Sequence, residues 1–191
     1  SKYITKKQLL ISLMAGVGLV SLSKTGAREI VRCMPNLPAK VGMGATFWYA
    51  SSGASRRHRQ LAARIFAALG REFYIKKKGA AADYVIDKAA AITGSGPAYV
   101  YYFMELLERE ARRLGFTKRQ SAVMAEITFA GALMLLLEEK MTPAELRAMV
   151  TSKKGTTERA VREFTKAIHQ AFHLGLDQAV KRAIYLRKNI N

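Results

Sequence analysis

Hydrophobic positions follow two rhythms along this chain. In the first part they come in short runs broken by turn formers. Leu9–Leu13 ends at Met14-Ala15-Gly16, and Glu29–Cys33 ends at Met34-Pro35-Asn36-Leu37-Pro38. Ala45–Ala50 is rich in β-formers, with Thr46, Phe47, Trp48 and Tyr49. Runs of this kind bounded by Gly and Pro read as strands. Glu72–Ile75 adds a fourth, ahead of the basic turn Lys76-Lys77-Lys78-Gly79. Between the third and fourth, Ser55 is placed to cap a helix whose Leu61, Ile65 and Leu69 lie four apart, with Gly70 to close it. This half predicts an α/β sheet fragment.

From Asp83 onward the rhythm is helical. Val100, Phe103, Leu107, Ala111 and Leu114 share one face, and Gly115 is placed to end that helix. At its start Ser95 or Gly96 can cap, and Pro97 sits where a missing N–H is tolerated. Thr117 and Gln120 have the spacing of a capping box, opening a long helix to about Lys140. Thr142-Pro143-Ala144-Glu145 repeats the signature for a short helix to about Val150, and a loop at Thr151–Thr157 leads into a last helical region. The long helix is apolar almost all round, through Val123, Met124, Ile127, Phe129, Leu133 and Leu136. Such a helix must be covered on several sides, and in a region this small a second copy of the chain is the natural cover. A homodimer is therefore expected. The expected division is residues 1–82 as a sheet domain and 83–191 as a helical one.

Composition narrows the chemistry. With 191 residues and 50% hydrophobic content the chain has ample material for a core. Its formal charge of +18, from 32 Lys and Arg against 14 Asp and Glu, suggests affinity for phosphates, anionic metabolites or nucleic acid. No RNA- or DNA-binding motif accompanies the charge, and basic residues occur in nearly every segment, so a nucleic-acid partner is not expected. Cys33 is the single cysteine, which excludes an internal disulfide and a cysteine metal cluster. His169 and His173 are four apart, but no carboxylate completes a set, and no metal site is expected. The apolar run Ile127–Leu137 is below the roughly 18 residues needed to cross a membrane. Leu9–Leu22 follows Lys6-Lys7 like a signal peptide, but holds Gly16 and Gly18 and lacks a small-x-small cleavage site. A cytoplasmic protein without a membrane partner is expected. The first residue is Ser1 rather than Met, which suggests incompleteness at that end.

Three separated segments, in order, carry a family resemblance. Thr93-Gly94-Ser95-Gly96-Pro97-Ala98-Tyr99 resembles the Ser-Gly-Ser-Gly-Pro-Ala-Tyr segment of pyrroline-5-carboxylate reductases. Met34-Pro35-Asn36-Leu37-Pro38-Ala39 is similar to the family's Met-Pro-Asn-Thr-Pro-Ala, which lies against the nicotinamide. Thr151-Ser152-Lys153-Lys154-Gly155-Thr156-Thr157 is similar to Thr-Ser-Pro-Gly-Gly-Thr-Thr, which holds the substrate carboxylate. Consecutive N–H groups at a helix start, beside hydroxyls, suit that task. The resemblance implies a C-terminal part of a Rossmann-type nucleotide-binding domain followed by a helical dimerisation domain. It implies NADP or NAD as cofactor and reduction of 1-pyrroline-5-carboxylate to proline in proline biosynthesis. Asn36, Pro38, Ala15 and Gly16 are implied on the cofactor side, and Ser152, Gly155, Thr156 and Thr157 on the substrate.

Departures leave alternatives open. Leu37 replaces a threonine, Lys153-Lys154 replaces Pro-Gly, and Ala90 stands where some members have a threonine near the imine. The first segment also reads as a capped buried helix, and the second as a proline-fixed turn. The third reads as an interhelical turn capped by Thr156. The sequence contains no Gly-x-Gly-x-x-Gly, the usual pyrophosphate turn. Gly16-Val17-Gly18 is nearest, but Ser21 stands where the third glycine belongs. No side chain is an obvious proton donor, so no catalytic residue is assigned. The alternative function is a non-catalytic homodimeric interaction module.

Overall fold

The computed structural model describes residues 4, 5 and 8–189. The chain forms two compact units, one reaching to Pro97 and resuming at Gly175, the other spanning Ala98–Leu174.

The first unit is built on a four-stranded sheet in the order β1-β2-β3-β4. These strands are β1 (Leu9–Ser12), β2 (Glu29–Met34), β3 (Gly44–Ala50) and β4 (Gly70–Tyr74), so all four expected strands form. β1 runs parallel to β2 and β3 parallel to β4, whereas β2 and β3 are antiparallel. A parallel pair needs a crossover, which α2 (Arg56–Ala67) supplies between β3 and β4. Ser55 caps α2 by accepting from the His58 amide. Between β1 and β2 the chain makes a short helix, α1 (Leu19–Ser23), within a stretch the apolar pattern had offered only as a run. The antiparallel reversal comes from a single 3₁₀ turn, Leu37–Val41, begun by Pro38 and closed by Gly42 in the left-handed region.

Side-chain alternation divides the sheet between two cores. Val31, Cys33 and Trp48 face Ala62 and Phe66 of α2. Tyr49 and Ile75 face Ala82 and Ile86 of α3 (Gly79–Ala89). The sheet closes tightly where β3 and β4 begin. A Cβ on Gly70, whose φ is +134°, would lie 2.3 Å from the Gly44 carbonyl oxygen. α3 starts four residues before Asp83, because Ala80–Ala82 are strong helix formers directly after Gly79. It packs on the sheet, so the compact units divide differently from the expected boundary at residues 82 and 83.

No extended cap separates α3 from the next helix. The chain instead widens into a π-helical turn, Ala90–Gly94, in which the Ser95 amide donates to the Ala90 carbonyl at 2.8 Å, and α4 (Gly96–Arg113) follows with Pro97 in its first turn. The second unit holds α4 from Ala98, α5 (Lys118–Glu139), α6 (Pro143–Met149) and α7 (Thr156–Asn189) as far as Leu174. Both expected capping boxes form, Thr117 with Gln120 and Thr142 with Glu145. α5 buries only Ser121 and Ala125, and leaves Val123, Ile127, Leu133 and Leu137 exposed. Among the described residues most of its apolar surface is uncovered. The whole 22-residue helix, of which the run Ile127–Leu137 is a part, is long and apolar enough to cross a membrane by length and composition alone.

Candidate functional site

In the first unit, the carboxyl ends of β1 and β2 open onto a cavity of about 370 Å³. Ala15 and Gly16 line it from the turn after β1, and Met34 from the end of β2. Ala90, Ala91 and Ser95 line it from the π turn. Crevices beyond the carboxyl ends of strands are where open α/β sheets bind ligands, and this volume suits a small-molecule site. Gly16 has a φ of +76°, a conformation that turns the backbone back at the cavity rim.

Asn36 and Pro38 sit beside this region in the turn after β2. The Asn36 carboxamide makes two hydrogen bonds within the protein: Nδ2 donates to the Thr93 carbonyl at 3.0 Å, and Oδ1 accepts from the Ala45 amide at 2.8 Å. It therefore stitches the proline-fixed turn to the π turn. Thr93 Oγ1 in turn donates to the Ala89 carbonyl at 2.9 Å. Pro38 opens the 3₁₀ turn, and its carbonyl accepts from the Met43 amide at 3.1 Å.

Arg32 and Asp87, which also line the cavity, belong to a buried ionic network. Arg32, 1% exposed in the middle of β2, donates to Asp83 and pairs with Asp87 at 3.6 Å. Tyr49 Oη donates to Asp83 at 2.6 Å, and Arg187 Nε on α7 donates to Asp87 at 2.7 Å. Arg32 Nε has no hydrogen-bond partner among the described residues. Burial, with the Asp83 hydrogen bond and charge, pushes the Tyr49 phenol far above its ordinary value. Burial likewise pushes the Cys33 thiol up to about 12, so that cysteine stays a protonated core residue at neutral pH.

The second candidate group lies in the other unit, between α6 and α7. Ser152 and Gly155 fold into a tight turn in which the Gly155 amide donates to the Ser152 carbonyl at 2.9 Å. A Cβ on Gly155 would come 2.3 Å from Ser152 Oγ, so a larger residue there must displace that hydroxyl. Thr156 and Thr157 are the first residues of α7, where amides lack intrahelical partners. Lys154 is held in the left-handed region at φ +63°, and its amide donates to the Glu158 carboxylate. The strain expected from replacing Pro-Gly by two lysines thus falls on Lys154. Among the described residues no group of three or more His, Cys, Asp or Glu comes together as a metal site.

Comparison with known proteins bears on both groups. Residues 83–186 match the pyrroline-5-carboxylate reductase dimerisation family, more than half of the chain. The chain belongs to that family. A pyrroline-5-carboxylate reductase of Pseudomonas aeruginosa is 32% identical over 179 residues, covering 93% of this chain and 63% of the relative. Pyrroline-5-carboxylate reductase 2 of Bacillus subtilis is 30% identical over 186 residues, 96% of this chain and 65% of the relative. The chain therefore spans just under two thirds of these relatives. Among solved structures, a pyrroline-5-carboxylate reductase from Coxiella burnetii superposes with a TM-score of 0.81 at 36% identity, over 93% of this chain and 65% of that one. The Plasmodium falciparum pyrroline carboxylate reductase, solved with NADP bound, shares the fold with a TM-score of 0.82 at 24% identity, over 94% of this chain and 68% of that one.

The family match begins at Asp83 and so includes the π turn and the Ser152–Thr157 loop. Sequence reasoning did not find the Arg32 network. Its signals were an arginine inside an apolar strand and two aspartates four apart, on one face of a helix. The π turn carried no signal beyond Gly94. Such turns cluster at functional sites, and this one lines the cavity.

Proposed function

We propose that this chain reduces 1-pyrroline-5-carboxylate to proline with NADPH or NADH, as a cytoplasmic homodimer or larger homo-oligomer. The observation that carries the reading is the family match over residues 83–186, joined to relatives named as this enzyme over nearly the whole chain. In this reading residues 1–82 serve the nucleotide, and residues 83–191 serve dimerisation and substrate. The dinucleotide, when bound, supplies a hydride to the C=N carbon of the substrate. The cavity beside Gly16 suits a group of nicotinamide size. Ala15, Gly16 and Pro38 shape the cofactor side. Asn36 acts there by fixing the Leu37–Val41 turn to Thr93 through its carboxamide.

Ser152, Gly155, Thr156 and Thr157 hold the substrate carboxylate through amides at the start of α7 and adjacent hydroxyls. The protein's contribution is positioning, because an iminium substrate arrives already protonated on nitrogen. The exposed apolar face of α5 and the apolar groove of about 890 Å³ beside it, lined by Val100, Met104, Phe129, Leu133 and Leu146, support a subunit interface.

The test is loss of NADPH absorbance with pyrroline-5-carboxylate, run beside NADPH binding and light scattering on the same sample. Turnover by an oligomer is the expected result. A stable dimer that neither binds NADPH nor turns over would refute the enzymatic reading and leave the non-catalytic interaction module. A monomer would refute the oligomeric assignment.

A further inference from the structure

The excess positive charge is unevenly held. Residues 1–88 carry sixteen Lys and Arg but only four carboxylates, Glu29, Glu72, Asp83 and Asp87. None of the four is exposed, and each already accepts from a protein donor. Glu29 takes the Ser55 amide and His58, and Glu72 takes the Trp48 indole. Asp83 and Asp87 are held by Arg32, Tyr49 and Arg187. The cations of residues 1–88 thus outnumber the carboxylates four to one, and the two half-buried carboxylates, Glu29 and Glu72, are turned to partners within the protein. A net charge of this size is far beyond the magnitude of about 2–8 that serves solubility in a small domain.

Within that field β4 is an edge strand with an aromatic platform. Phe73 is 43% exposed, and its ring lies on Phe47 at 4.6 Å with an interplanar angle of 13°. Arg71 precedes it by two positions, on the same face of the strand, and the exposed Lys76, Lys77 and Lys78 follow the strand end. None of these four cations has an ion pair among the described residues.

We propose that this edge of the sheet unit binds single-stranded nucleic acid, with Lys76, Lys77, Lys78 and Arg71 along the phosphates and a base stacked on Phe73. Cations alone would fit any polyanion. The exposed ring among them favours a partner with flat π-faces, and unpaired bases supply these where a duplex or a lipid headgroup does not. The site needs no substrate and is independent of the reductase reading.

The test is fluorescence anisotropy of a labelled oligothymidylate against the full chain at several salt concentrations. Binding at 50 mM salt that weakens steeply with added salt is expected. Replacing Lys76, Lys77 and Lys78 together by Gln should flatten the log–log salt slope by about 2, since each phosphate contact on a single strand contributes roughly 0.7. Phe73→Ala should weaken binding roughly 5- to 150-fold while leaving the slope unchanged, the range for loss of one stacked base. Unchanged Trp48 emission in both variants confirms that the sheet is intact. Three results would overturn the proposal: no binding at 50 mM salt, a Phe73→Ala variant that binds as wild type, or tighter binding to phosphatidylserine vesicles than to the oligonucleotide.

Discussion

Replacing Arg32 by Met would test whether the buried network holds the sheet unit together. Methionine keeps an unbranched apolar stem of similar reach and removes only the guanidinium. Asp83 and Asp87, both buried, would then lose their shared cation. Breaking a buried pair by removing one partner typically costs about 3–5 kcal/mol. Each carboxylate keeps a second donor here, Tyr49 Oη on Asp83 and Arg187 Nε on Asp87, which argues for the lower end. We expect a loss of about 3 kcal/mol, which at an m-value of about 1.5 kcal/mol/M is a fall of about 2 M in the urea midpoint. The assay is urea unfolding followed by Trp48, the only tryptophan, which sits on β3 opposite Cys33 of β2. A second variant, Arg32→Met with Asp83→Asn, removes the stranded charge and leaves an acceptor for Tyr49. It should recover about 1–2 kcal/mol of the loss. A midpoint shift below about 0.5 M for Arg32→Met, or a double variant weaker than the single one, would refute the reasoning.

Three further outcomes follow from other parts of the chain. Gly155→Ala must push Ser152 Oγ aside, so it should raise KM for pyrroline-5-carboxylate about ten- to a hundredfold with kcat nearly unchanged, as loss of one charge-assisted hydrogen bond implies; steady-state kinetics at saturating NADPH reads this, and an unchanged KM would remove the loop from the substrate site. The Ser55 amide and hydroxyl and the His58 ring hold the Glu29 carboxyl at about 2, below its ordinary 4.5. Its stabilising contribution is therefore fully present above pH 4.5 and lost as pH falls toward 2, and the gap in Tm between wild type and Glu29→Gln should close over that window. A gap independent of pH from 6 to 3 would count against the bonded carboxylate. Ile127→Glu places a charge on an α5 residue that is 67% exposed in the single chain, so it should leave the fold intact and halve the mass seen by light scattering; an unchanged oligomer would move the interface elsewhere.

What could be read from sequence and what could not divides along a physical line. Strands β1 to β4, the Ser55 cap and the two capping boxes are local: their signals lie within a few residues, and the structure places them within one or two positions. Arg32, Asp83 and Asp87 meet only because β2 lies under α3, a pairing of residues 51 and more positions apart that no periodicity encodes. Asn36 shows the same limit from the other side. Its motif marked a proline-fixed turn, but only the fold reveals that its carboxamide bonds to Thr93 and Ala45 and fastens that turn to the π turn. The apolar surround of α5 was a long-range statement made from local data, because a helix with no polar face must be covered by something whatever its neighbours are. Among the described residues little covers it, and that exposed surface is what the proposed second subunit would bury. The same logic applies to charge. Counting residues gave +18 and an even spread; only the hydrogen-bond partners of Glu29, Glu72, Asp83 and Asp87 show that every carboxylate of residues 1–88 is engaged within the protein, while Arg71, Lys76, Lys77 and Lys78 stand exposed around Phe73 with no ion pair among the described residues.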